Sequence, residues 1–62
     1  HIERRLALVG LEGRAVTDLH PVGEVEIEGV TVEALAEAGW IEAGQRILVT
    51  RADGLTVMVR HA

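Results

Sequence analysis

Seven glycines divide this chain of 62 residues into short segments, and this punctuation limits the possible folds more than any other feature. The glycines lie at positions 10, 13, 23, 29, 39, 44 and 54. The segments between them are rich in Val, Ile, Leu and Thr, which favour strands. Short strands with a turn signal about every 8–12 residues are typical of an all-β sandwich or barrel. The sequence therefore predicts one small all-β domain.

The first hairpin is predicted from apolar residues that alternate on both sides of residues 28–29. A two-residue loop there pairs Ile27 with Val30 and Val25 with Val32, which places both apolar sets on one face. The glycine of this loop supplies the positive φ that such a tight turn requires. The second strand is predicted to give way to a turn, although residues 33–38 also match a short helix with a glycine cap.

The second hairpin is predicted to close through a three-residue loop at residues 52–54. A two-residue loop would set Val49 opposite Met58 and mix the two faces, because a slip of one residue reverses every side chain. The three-residue loop instead pairs Val49 with Val57. Its glycine then occupies the left-handed position of a turn that ends in a bulge.

A further strand is predicted at residues 13–19. Ala15, Thr17 and Leu19 are predicted to form one face of this strand. Pro21 and the next glycine end this strand, and another begins at Glu24. The turns are assigned to Gly23, Gly29, Gly44 and Gly54. Five short strands favour a closed or nearly closed barrel, since closure removes exposed strand edges, and residues 6–11 are left to cover an edge or to lead in.

Several functions are excluded by residue types that the chain lacks, namely Ser, Cys, Lys, Tyr, Asn and Phe. Serine and cysteine nucleophiles, Schiff-base lysines and the lysine of a phosphate-binding loop are therefore absent. The formal net charge is −4, and Trp40 is the sole aromatic residue besides the histidines. Nucleic-acid binding draws on basic residues and on aromatic stacking platforms, so this composition argues against it.

Few groups in the chain are candidates for metal binding or acid–base chemistry. Glu24, Glu26 and Glu33 are predicted to form an outward acidic stripe, which we interpret as a solvated face that favours a basic partner. The remaining candidates are Asp18, His20 and His61. None of these residues has the spacing of a structural zinc site. The sequence therefore predicts no cofactor, no metal site and no catalytic residue.

Three residues are candidates for contact with a partner. Leu48 and Met58 are predicted to oppose each other on the outer face as an apolar pair. A partner would cover this pair, or one of the N-terminal leucines folds back over it, or it is ordinary surface. Trp40 lies in a loop next to Gly39 and has two interpretations. Exposed, it would anchor an interface. Buried, it would plug one end of the barrel as the only large side chain of a small core, and this is the interpretation that we favour.

The order and spacing of these residues resemble the C-terminal domain of the NfeD family. The first half of the resemblance is carried by Gly13-x-Ala15-x-Thr17-x-Leu19-x-Pro21-x-Gly23-x-Val25-x-Ile27-x-Gly29. The second half is carried by Gly39-Trp40-Ile41-x-x-Gly44-x-x-Ile47-x-Val49, then by Gly54-Leu55 and Val57-x-Val59. The resemblance implies a five-stranded OB-fold barrel at residues 10–62, with residues 1–9 as a tag remnant or linker and lead-in.

The resemblance also implies a function. Family members carry transmembrane helices before this domain, and a long form adds an N-terminal ClpP-like serine protease domain. They are associated with stomatin- and flotillin-type (SPFH) scaffold proteins. The implied role is a non-catalytic interaction module that docks on an SPFH scaffold, on the cytoplasmic side of the membrane, with the membrane reached only through segments outside this chain. Two alternatives stay open, namely binding of single-stranded nucleic acid or oligosaccharide, and self-association.

Overall fold

A computed structural model of the chain describes residues 8–53 and 56–62. The strands of the barrel are β1 (Glu12–Ala15), β2 (Val22–Ile27), β3 (Val30–Ala36), β4 (Arg46–Asp53) and β5 (Thr56–His61). They close in the order β1-β2-β3-β5-β4, with β4 paired back to β1. β3 and β5 run parallel, and the other neighbours are antiparallel. This confirms the small five-stranded OB-fold-like barrel expected from the sequence.

The interior of the barrel is filled by aliphatic side chains from all five strands and from an isolated bridge between Leu19 and Ile41. The buried residues are Ala15, Leu19, Val25, Ile27, Ala34, Ala36, Ile41, Ile47, Val49, Ala52, Val57 and Val59. Leu8, Leu11 and Val32 pack against this core from its margin. None of the described polar or charged residues is buried. The inside-outside alternation predicted from the sequence therefore governs the fold.

The β2–β3 hairpin has the register predicted from the sequence. Ile27 pairs with Val30 and Val25 with Val32. The loop residues Glu28 and Gly29 have φ values of 52° and 82°. Two successive positive φ values are the mark of a type I′ turn, whose twist matches that of the flanking strands. The shared apolar face ends at this turn, because Val30 lies exposed at the tip of the hairpin.

The short helix considered for residues 33–38 is wrong. β3 continues to Ala36, and the chain then turns at residues 37–38. The Gly39 N–H donates to the Ala36 carbonyl at 3.0 Å, and Gly39 has a φ of 89°. The predicted sequence of strand and turn is confirmed. Within residues 8–53 and 56–62, no helix has the length and hydropathy that crossing a membrane requires.

The register predicted for the β4–β5 hairpin is wrong. Val49 pairs with Val59 and not with Val57, which lies opposite Ala52. The register shifts between Val49 and the residue after Thr50, so that Thr50 is the extra residue of a bulge inside β4. Beyond this extra residue the alternation of inward and outward side chains is moved by one position, so that Ala52 and not Arg51 points inward. Ala52, predicted to lie in the loop, is therefore buried in the core.

The predicted loop at residues 52–54 begins too early. β4 continues through Ala52 to Asp53, which pairs with Thr56. The turn role assigned to Gly54 lies outside the described residues. Gly44 does form a turn, with a φ of 91° and an N–H that donates to the Ala15 carbonyl at 2.8 Å.

The first predicted strand, residues 13–19, is too long. β1 ends at Ala15, and the chain bends before it reaches the bridge at Leu19. Thr17 is exposed while Ala15 and Leu19 are buried, so the three residues do not share one face as predicted. The Thr17 Oγ1 accepts the Glu24 N–H at 3.0 Å and so replaces a strand partner at this bend.

Gly23 does not break a strand as predicted, because it lies inside β2. Its role is to allow a close approach between two segments. A Cβ at this position would lie 2.4 Å from the Asp18 carbonyl oxygen and 2.9 Å from the Thr17 Oγ1. The bend after β1 can cross β2 here only because glycine has no side chain.

Candidate interaction site

Leu48 and Met58 both lie on the outer wall of the barrel, half-buried, but they do not oppose each other. Leu48 pairs with Arg60, and Met58 pairs with Arg51. The Asp53–Thr56 pair at the end of the hairpin sets Met58 opposite Arg51, and the bulge at Thr50 then sets Leu48 opposite Arg60. The predicted cross-strand pair is therefore wrong, and each residue has different neighbours.

Met58 instead completes an apolar row that runs across three strands. Val22 on β2 is opposite Leu35 on β3, and Leu35 is opposite Met58 on β5. Leu35 and Met58 each lie between two buried residues, and Val22 has the same phase along β2 as the exposed Glu24, so all three side chains point outward. We call Val22, Leu35 and Met58 the outer apolar row. Sequence reasoning missed it, although the register predicted for the β2–β3 hairpin already places Val22 opposite Leu35.

An acidic rung lies beside the outer apolar row. Glu24 on β2 is directly opposite Glu33 on β3, and both are exposed, as predicted. Glu26 follows on β2, opposite Arg14 of β1. The ion pairs among the described residues are Arg46–Glu12 at 2.6 Å and Arg51–Asp53 at 3.5 Å, so none of them involves the β2–β3 hairpin. Within the described residues, the carboxylates of this hairpin therefore have no ion-pair partner.

The far end of the row is polar. The Thr50 hydroxyl, at the bulge, donates to the Glu37 carboxylate and approaches the Met58 carbonyl at 3.4 Å. The Glu37 N–H in turn donates to the Val59 carbonyl at 2.9 Å. These bonds tie the turn after β3 to β4 and β5, so that the outer apolar row is carried on a fixed framework.

Trp40 does not plug the barrel, so the interpretation favoured from the sequence is wrong. Its side chain is 47% exposed, while the next residue, Ile41, is buried and bridges to Leu19. The indole packs edge-on against the His20 ring, with centroids 4.6 Å apart and an interplanar angle of 83°. Aliphatic side chains fill the small interior without it. The chain therefore presents its largest apolar side chain to solvent.

The exposure of Trp40 leads to a stability prediction. Trp40→Ala is expected to lower the free energy of unfolding by about 1 kcal/mol or less, whereas loss of a tryptophan plug costs about 3–5 kcal/mol. The control is Ile41→Val, which removes one methylene from the core at a cost of about 1 kcal/mol. Urea unfolding followed by circular dichroism compares the two variants. A loss for Trp40→Ala several times that of the control would contradict its exposed position.

A groove of about 490 Å³ lies on another part of the wall, where β1 meets β2 and β4. It is lined by Glu12, Gly13, Arg14, Glu26, Glu28, Gly29 and Arg46. Its arginines and carboxylates are intermixed, and Arg46 is already held by Glu12. The lining offers neither an aromatic stacking surface nor a continuous positive charge, the two features that single-stranded nucleic acid requires.

Asp18, His20 and His61 are not brought together. Asp18 Oδ1 accepts the Ala43 N–H at 2.8 Å, His20 packs on Trp40, and His61 lies at the end of β5. Within the described part of the chain, no group of three or more His, Asp or Glu residues is placed to hold a metal ion.

The sequence of this barrel matches a known family. A family model described as the NfeD-like C-terminal, partner-binding domain matches residues 5–60. The chain belongs to the NfeD family. The NfeD barrel is also similar to the C-terminal domain of stomatin operon partner protein 1510-C from Pyrococcus horikoshii. The two are 33% identical with a TM-score of 0.85, and the match covers 90% of this chain and 89% of that chain.

Two further solved structures resemble this NfeD domain. One is the soluble domain of a membrane protein implicated in regulation of membrane protease activity from Corynebacterium glutamicum, with 25% identity, a TM-score of 0.79 and coverage of 90% of this chain and 95% of that chain. The other is the soluble domain of the NfeD protein YuaF from Bacillus subtilis, with 27% identity, a TM-score of 0.76 and coverage of 97% and 80%. No curated protein matches the chain.

Proposed function

We propose that this domain is a non-catalytic docking module that binds a stomatin- or flotillin-type (SPFH) scaffold. The observation that carries the proposal is the set of apolar side chains held outward on a closed barrel, in a family whose domain is described as partner-binding. Exposed contiguous apolar surface on a small domain usually marks an interaction site. A relative that is 33% identical is a stomatin operon partner protein, which supports this class of partner.

The residues proposed for contact with the partner are Trp40, Leu48 and Met58, the same three that were candidates from the sequence. Trp40 is an exposed aromatic, and such residues dominate the energetics of interfaces. Leu48 and Met58 lie half-buried on the outer wall, where partner atoms complete their burial. The absence of serine and cysteine from the sequence supports a role without covalent catalysis.

The proposed location is the cytoplasmic side of a membrane, where the barrel is held by segments outside this chain. Similarity to the soluble domain of a membrane protein from Corynebacterium glutamicum supports the membrane association. The net charge of −4 keeps the barrel itself away from anionic lipid, so that partner contact rather than lipid contact is its task.

The proposal is tested by measuring binding of the chain to the stomatin-type protein of the same organism by biolayer interferometry. We expect saturable binding with a Kd of about 1 μM, the range of transient protein partners. A single-stranded oligonucleotide is the control ligand, and light scattering over a range of concentrations reports self-association. Oligonucleotide binding that weakens with salt, or a stable oligomer without scaffold binding, would place the domain in one of the alternative classes instead.

A further inference from the structure

The outer apolar row and the acidic rung form one continuous surface. Val22 and Glu24 are two residues apart on β2, and Leu35 and Glu33 are two residues apart on β3. Residues at this spacing share a face, so the outer apolar row and the acidic rung run side by side, about 7 Å apart. Met58 extends the outer apolar row to β5, where Arg51 is opposite it, so the acidic rung does not continue onto this strand.

The acidic rung is unfavourable for the isolated domain. Two like charges directly opposite each other destabilise a strand pair, and many neutral residues at either position would avoid this cost. Neither Glu24 nor Glu33 has an ion-pair partner among the residues that the structure describes. Violations of a local rule such as this are expected at functional sites, where a second molecule offsets the cost.

We propose that the outer apolar row and the Glu24–Glu33 rung together dock one kind of occupant. The occupant is an amphipathic protein segment that carries apolar side chains beside a lysine or arginine. The apolar side chains cover Val22, Leu35 and Met58, and the cation lies between the two carboxylates. This inference rests on the proposed docking function and specifies its surface and the chemistry of the partner segment.

Charge selects a protein segment over other occupants. The β2–β3 hairpin, residues 22–36, carries four glutamates and no basic residue. The β2–β3 part of this surface therefore repels phosphate groups, and with them anionic lipid and nucleic acid, although Arg51 lies opposite Met58 at its other end. A strand presents apolar and basic side chains about 7 Å apart at positions i and i+2, and a helix presents them about 5–6 Å apart at i and i+4. Either geometry matches the two rungs.

The experiment uses two variants with matched controls. Glu33→Arg reverses a charge in the rung, and Glu42→Arg makes the same change at an exposed loop position. Val22→Gln removes an apolar side chain from the row, and Val9→Gln makes the same change elsewhere, where Val9 is 47% exposed against 49% for Val22. The probes are overlapping peptides that span the stomatin-type protein of the same organism, and fluorescence anisotropy measures the Kd of each bound peptide.

We expect the bound peptides to combine apolar residues with Lys or Arg. Glu33→Arg and Val22→Gln should each weaken binding by about tenfold or more, and both controls should stay within about twofold of the wild type. A peptide whose basic residues are replaced by glutamate should bind Glu33→Arg more tightly than it binds the wild type. This charge exchange is an effect that mere destabilisation of the fold does not produce.

Three outcomes would overturn the inference, and they differ in what else they imply. If the wild type binds and both variants bind equally well, the surface is wrong while the docking function stands. If the wild type binds neither the peptides nor the intact scaffold, the docking function fails and the surface fails with it. If light scattering shows a dimer that Val22→Gln abolishes, the row is the contact between two copies of this chain.

Discussion

Gly13→Ala is expected to lower the free energy of unfolding by about 3 kcal/mol or more, since the added atom has no space. A Cβ at Gly13 would lie 2.2 Å from the Glu26 carbonyl oxygen and 3.0 Å from the Ile27 side chain. The oxygen belongs to the backbone of β2, next to β1 in the barrel, so it moves only if the strands separate. A domain of this size has a total free energy of unfolding of about 5 kcal/mol, so Gly13→Ala would remove most of it.

The control for this prediction is a glycine that is needed for its φ and not for space. Gly29 has a φ of 82°, and an added Cβ there meets no atom within 4 Å. Gly29→Ala should cost about 1 kcal/mol, and Gly29→Asn less, because Asn tolerates the left-handed region better. Urea unfolding followed by circular dichroism ranks the three variants. Equal losses for Gly13→Ala and Gly29→Ala would contradict the close approach of β1 and β2.

The β2–β3 hairpin was predictable because local chemistry and burial agree there. Alternation from Glu24 to Ile27 defines one face, and Gly29 at the only suitable loop position fixes the register. The structure has both features, including the positive φ at the glycine. A hairpin whose turn and whose apolar pattern indicate the same pairing leaves no second solution.

The β4–β5 hairpin was not predictable in the same way, because its irregularity lies away from the turn. The sequence offers Gly54 as an obvious place for a bulge, and that placement gives a consistent inward phase. The barrel instead has its extra residue at Thr50, where the hydroxyl bonds to Glu37 on the neighbouring turn. No local pattern in β4 marks this position, since the contact joins residues 13 positions apart.

Trp40 shows the limit of reasoning from residue size. A single large apolar side chain in a small domain suggests a buried position, but the strands are short and their aliphatic side chains already close the interior. The outer apolar row was predictable in part. The pairing of Val22 with Leu35 is predicted by the correct register of β2 and β3. The pairing of Leu35 with Met58 depends on the parallel β3–β5 contact, which cannot be predicted from a hairpin because no hairpin joins these strands.

Ala52→Gln is expected to lower the free energy of unfolding by about 4 kcal/mol, which is most of the stability of a domain of this size. Ala52 is 2% exposed and lies opposite Val57 inside the barrel. The larger side chain has no cavity to enter, and its amide has no polar partner among the aliphatic residues of the core. Overpacking costs about 1–3 kcal/mol, and burial of an unpaired amide costs about 1–3 kcal/mol more.

The matched control for Ala52→Gln is the same change at Ala43. This residue is exposed, and its backbone N–H, which the substitution keeps, donates to Asp18 Oδ1. Ala43→Gln should change stability by about 0.5 kcal/mol at most. The comparison discriminates between two registers, because the three-residue loop predicted from the sequence leaves Ala52 in solvent, where glutamine is harmless. The bulge at Thr50 instead turns Ala52 inward. Thermal unfolding of the two variants decides between these registers, and similar melting temperatures would contradict the bulge and the β4–β5 pairing that carries Met58 to the outer apolar row.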